Sequence, residues 1–67
     1  MPSTLIRSFT YDEAAHRLEV EFVSGALYHY SDVPEDVAAG MRRAFAKGEF
    51  FNRYIRGQYA YSRVRDS

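Results

Sequence analysis

Residues 17–23 read RLEVEFV, and no other stretch constrains the fold as much. Leu18, Val20 and Phe22 alternate with Arg17, Glu19 and Glu21, the period-two pattern of a strand with one buried face. A second run, ALYHYS at 26–31, follows Ser24-Gly25 and reads as the returning arm of a hairpin. Loop length sets the register. A two-residue loop, Ser24-Gly25, places Phe22 opposite Leu27 and Val20 opposite His29, leaving Tyr28 and Tyr30 outside. A three-residue loop, Val23-Ser24-Gly25, places Val20 opposite Tyr28 and Leu18 opposite Tyr30. The second register is preferred, because it keeps His29 out of the core and puts Gly25 where a positive φ is needed.

TLIRSFTY (4–11) reads as a preceding strand, with DEAAH (12–16) as its connection. Ile6 and Phe9 differ in parity, so a bulge or bend is expected there. SDVPEDVAAGMRRAFAKG (31–48) carries helix signals. Ser31 or Asp32 serves as cap, Pro34 suits the first turn, and Glu35 and Asp36 complement the dipole. Val37, Met41, Ala44 and Phe45 share one face, Arg42, Arg43 and Lys47 lie toward the C-terminal end, and Gly48 is the expected stop. Gly40 weakens the middle and points to a close approach to the sheet. In EFFNRYIRG (49–57), Phe50, Phe51, Tyr54 and Ile55 form a second helical stripe, with Arg53 and Arg56 opposite and Gly57 ending the turn. QYAYSRV (58–64) alternates again and can close the sheet as a fourth strand. The expectation is an α+β domain: a small antiparallel β-meander of three strands, plus that tail, packed against two short helices. It spans 1–67 as a single unit, with an ordered core over 3–64 and 65–67 as a tail.

A chain of 67 residues supplies one domain, which buries only about 60% of the surface its unfolded form exposes. Lacking cysteine, it has no disulfide framework and no thiolate chemistry. Its six Tyr and five Phe must therefore provide most of the core, with Tyr28, Tyr30 and Tyr54 foremost. MPSTLIRSF lacks a basic segment followed by a long apolar one, and no apolar run approaches a membrane span. A soluble cytoplasmic protein without membrane association is expected.

The remaining polar residues offer no catalytic constellation. His16 and His29 match no metal-ligand spacing. His29 beside Glu19 or Glu21 reads as a cross-strand surface pair, and Asp12-Glu13 and Glu35-Asp36 as turn and helix-start residues. The four glycines are dispersed, so no phosphate loop exists. The expectation is a non-enzyme with no cofactor and no metal.

Charge is more informative. Residues 1–40 hold two basic and seven acidic side chains, whereas 41–67 hold seven basic and two acidic. Arg53 and Arg56 lie opposite an apolar stripe and should face water. With both helices on one side of the sheet, Arg42, Arg43, Lys47, Arg53 and Arg56 would form one patch suited to phosphate. Arg63 extends it, and Tyr59 and Tyr61 are available for stacking. The competing structural reading pairs Arg53 or Arg56 with Glu19 or Glu21 across the fold.

The order of Tyr11-Asp12, Leu18-Glu19-Val20-Glu21-Phe22, Gly25, Tyr28-His29-Tyr30, Val33-Pro34, Gly48, and Phe51-Asn52 through Ile55-Arg56-Gly57 to Tyr59 and Tyr61 resembles the KTSC family. That family is named for a domain at the C-terminus of some lysyl-tRNA synthetases and also occurs as small free-standing bacterial proteins. The resemblance spans residues 4–64 and implies RNA as ligand, by association with the synthetase. The combined expectation is a small binding module for RNA on its basic and aromatic C-terminal face. The alternative partner is another protein, or the chain itself, through an exposed strand edge.

Overall fold

A computed structural model describes residues 6–66; Thr4 and Leu5 of the expected first strand, and Ser67, lie outside the described residues. Strands β1 (Ile6–Asp12), β2 (Arg17–Phe22) and β3 (Ala26–Tyr30) are followed by helices α1 (Glu35–Arg43) and α2 (Lys47–Tyr54) and by strand β4 (Tyr61–Asp66). The sheet is an antiparallel meander in the order β1-β2-β3-β4. The fold is α+β, and the tail does close the sheet. It also runs further than expected, since Arg65 and Asp66 pair with Leu27 and Ala26.

The hairpin adopts the three-residue loop. Val20 pairs with Tyr28 and Leu18 with Tyr30, and Gly25 takes φ 98° with its N–H bonded to the Phe22 carbonyl at 2.8 Å. The expected irregularity in β1 is a register shift between Ile6 and Ser8, which lets Ile6, Phe9 and Tyr11 all pack against the core. A second shift, between Leu27 and Tyr28, leaves Val64 as the extra residue of β4. It has a chemical consequence. Tyr61 and Arg63 stay on the helix side of the sheet, while Arg65 reaches the far face and bonds Glu21 at 3.0 Å.

Leu18, Val20 and Tyr30 from the sheet meet Val33, Met41 from α1, Phe51 from α2 and Ile55 in one buried cluster. Both helices therefore cover the same face. Neither Ser31 nor Asp32 caps α1. Asp32 instead takes φ 57° in the preceding turn, and the Pro34 carbonyl receives the Val37 and Ala38 N–H groups. The helix also ends early, at Arg43, with Ala44 already extended. Lys47 caps that end: its ammonium donates to the carbonyls of Arg42 at 3.1 Å and Ala44 at 2.8 Å, satisfying groups that a helix end leaves orphaned. Phe45, expected on the apolar face, is thereby released and is fully exposed. Gly48 opens α2 rather than ending α1. Gly40 does mark a close approach, but to α2: a methyl group there would sit 2.7 Å from the Phe50 ring.

Burial gives the fold an alkaline limit. Tyr30 is 4% exposed, and desolvation, aided by the neighbouring phenols of Tyr28 and Tyr61, pushes its hydroxyl from 10.0 up to about 12. Desolvation likewise raises Tyr11, whose hydroxyl donates to the Val33 carbonyl at 2.6 Å. The unfolded chain ionises these phenols first. The contribution of these phenols to stability is therefore constant below about pH 10 and falls as pH rises toward about 12, by roughly 2–3 kcal/mol for Tyr30. Urea denaturation of Tyr30→Phe beside the parent, at mild and strongly alkaline pH, should show most of that loss removed. Equal losses in both proteins would contradict this assignment.

Candidate nucleic-acid interface

Between the end of α2 and the β3–β4 pair lies a cleft of about 360 Å³. Its floor is aromatic because the register aligns every second residue of three strands on the helix side: Phe22, Tyr28, Tyr30 and Tyr61. Tyr61 stacks on Tyr28 at 5.3 Å with an interplanar angle of 27° and leans on Tyr30 at 5.5 Å. Phe51 seals the base edge-on to Tyr30 and Phe22. Asn52, Arg56 and Gly57 form the opposite rim, where Gly57 takes φ 77° to turn the chain out of α2.

Cations flank this floor. Arg56 is exposed, is held by the Asn52 side-chain oxygen at 3.3 Å, and lies close enough to Tyr30 for its charge to oppose the upward pKa shift. The Arg63 guanidinium sits 5.7 Å from the Tyr28 ring centroid, a cation–π distance. Asp66 bonds it at 3.0 Å and holds its pKa above the ordinary arginine value. Tyr61 retains 57% exposure, so its outward side is free to stack. The arrangement offers planar π-surface with guanidinium groups at its edges.

The eight residues singled out from sequence do not all border one depression. Arg56 and Tyr61 line the cleft, and Arg63 lies beside it over the Tyr28 ring. Arg53 is exposed as expected but lines a separate groove with Phe45, Phe50 and Tyr54. Arg42 borders a third depression, with Tyr11, Glu13, Glu35 and Asp36. There Glu35 is raised, first by a hydrogen bond to Glu13 and then by that carboxylate's charge, so the surroundings favour cations over phosphate. Arg43 is exposed. Lys47 is committed to the carbonyls of α1, and Tyr59 packs against the core.

Pairing of Arg53 or Arg56 with Glu19 or Glu21 does not occur. Those carboxylates point to the far face of the sheet, where Glu19 meets His29 at 3.1 Å and Glu21 meets Arg65 at 3.0 Å. Tyr54, counted as core, is 49% exposed and packs on Phe50 at 4.7 Å. Sequence reasoning undervalued Tyr28 and Asn52 as surface features. The signal for Tyr28 was present: Y-x-Y on one strand facing Y-x-R on another makes a ladder once the two are paired.

The family model described as KTSC domain matches residues 2–59. The crystal structure of a KTSC domain protein from Yersinia pestis superposes with a TM-score of 0.86 at 32% identity, covering 88% of this chain and 83% of that one. An uncharacterised protein of Stutzerimonas stutzeri is 42% identical over 96% of this chain and 92% of its own length. A lysine–tRNA ligase of Nostoc punctiforme is 33% identical over 91% of this chain, which spans only 11% of that enzyme. The chain belongs to the KTSC domain family.

Proposed function

We propose that this protein is a non-enzymatic binding module that takes single-stranded RNA in the cleft between α2 and β4. The observation that carries the reading is the half-exposed Tyr61 ring on the Tyr28–Tyr30 ladder, with Arg56 on the facing rim and Arg63 over Tyr28. A π-platform beside a guanidinium is the arrangement by which proteins hold unpaired bases and their phosphates. Duplexes hide base faces, so single strands fit better. The similarity to a segment of lysine–tRNA ligases points to the same ligand class. Arg53 lies on the neighbouring side of α2 and Arg42 and Arg43 lie on α1, so they extend the footprint only for longer strands.

Fluorescence anisotropy of labelled single-stranded and duplex RNA at low and moderate salt tests this reading. Single strands should bind more tightly, with affinity falling as salt rises. Arg56→Gln with Arg63→Gln should lower the salt slope by roughly one unit per lost phosphate contact. Asp66→Ala, which removes the acceptor and frees the Arg63 guanidinium, should strengthen binding. Binding by neither RNA, or binding indifferent to salt and to these changes, would favour partner docking at a strand edge instead.

A further inference from the structure

A second surface lies along α2 next to the cleft, sharing Asn52 with it, and it exposes two large aromatic side chains. Phe45, in the turn between the helices, has full exposure, and Tyr54 is 49% exposed. Between them, Ala44, Ala46, Phe50 and Tyr54 line a groove of about 710 Å³, with Glu49 and Arg53 also on its walls. A projecting aromatic ring beside a groove floored by alanines marks an interaction surface rather than a solvated turn.

We propose that this surface binds a second copy of the same chain across a two-fold axis. Two features single out that occupant. The ring and the groove occupy one patch, so each copy offers what the other accepts, which is the defining property of an isologous contact. The charges are self-complementary as well. Glu49 and Arg53 are one helical turn apart, a spacing that suits a pair within the helix. Yet neither enters any ion pair among the described residues. Two copies of α2 packed antiparallel bring Glu49 of each against Arg53 of the other, closing two pairs at once. A purely acidic or basic ligand would leave one of these charges unmatched, and Glu49 repels phosphate. The contact also extends a core limited by chain length, since small domains commonly gain stability by association. It leaves the aromatic floor of the cleft uncovered, because Phe22, Tyr28, Tyr30 and Tyr61 do not line the groove, although Asn52 borders both surfaces.

Sedimentation equilibrium on the full chain tests the proposal. Apparent mass should rise with concentration from the 7.8 kDa of the monomer toward twice that value. Phe45→Ser should weaken association by about thirtyfold or more, with an unchanged circular dichroism spectrum because the ring touches no core. Glu49→Arg alone should weaken it too, by setting like charges against each other, and adding Arg53→Glu should restore it. Such rescue is specific to an interface in which these two positions meet. A parent protein that stays monomeric at NMR concentrations would overturn the proposal. So would a dimer indifferent to Phe45→Ser, or a double charge exchange no better than the single one.

Discussion

Phe51→Ala should leave the protein largely unfolded in water at room temperature. Phe51 is 5% exposed and ties α2 to the sheet through edge-to-face contacts with Tyr30 at 5.4 Å and Phe22 at 5.5 Å. Removing a buried phenylalanine ring costs about 3–5 kcal/mol. A domain below about 70 residues rarely has more than roughly that amount in total, and this one has no cysteine to reinforce it. The expected readout is collapse of amide dispersion in the proton–nitrogen spectrum and loss of the near-ultraviolet circular dichroism of the aromatic cluster. Phe51→Leu, which keeps most of the volume, should remain folded with a lowered melting temperature. A Phe51→Ala protein that still melts cooperatively within a few degrees of the parent would show that the helix layer is held by other contacts.

Tyr61→Ala should weaken binding of single-stranded RNA by about five- to 150-fold, the equivalent of one base stack. Its effect on the fold should be far smaller than that of Phe51→Ala. Tyr61 belongs to an edge strand whose residues are all exposed, and its backbone pairing with Tyr30 survives the change. Tyr61→Phe separates the two parts of the side chain. If the ring face does the work, that variant binds like the parent. Loss of affinity in Tyr61→Phe equal to that in Tyr61→Ala would assign the role to the hydroxyl instead. No loss in either would remove the platform from the interface. Melting curves of both variants guard against a change in folding being read as a change in binding.

Much of this architecture was legible because it rests on short-range rules. Alternation in 17–23 and 26–31, with Gly25 able to take a positive φ, sufficed for the hairpin register and for the inward turn of Tyr28 and Tyr30. The parity break between Ile6 and Phe9 announced the β1 bulge. Where the reading went astray, side-chain contacts or strand pairing had overridden the periodic pattern. Helical periodicity through Ala44 and Phe45 continued past the true end of α1, because nothing local announces that Lys47 will fold back onto the last carbonyls. Phe45 changed from core to surface as a result. The Val64 bulge is equally silent in sequence. It depends on pairing with β3, and it decides whether Arg65 joins the cleft or the acidic far face. Charge counting suggested a single basic patch, yet Arg42, Arg53 and Arg56 each border a different depression.

The central claim, that unpaired RNA lies across the Tyr28–Tyr61 ladder, is tested most directly by chemical-shift mapping. A short single-stranded oligoribonucleotide is titrated into isotopically labelled protein at low and then moderate salt. Saturable shifts should centre on the amides of Tyr28, Arg56, Gly57, Tyr61 and Arg63, and they should shrink as salt is raised. The far face around Glu19 and Glu21 should be unperturbed. Shifts confined to the α1–α2 turn or to the far face of the sheet, or no shifts at all, would contradict it.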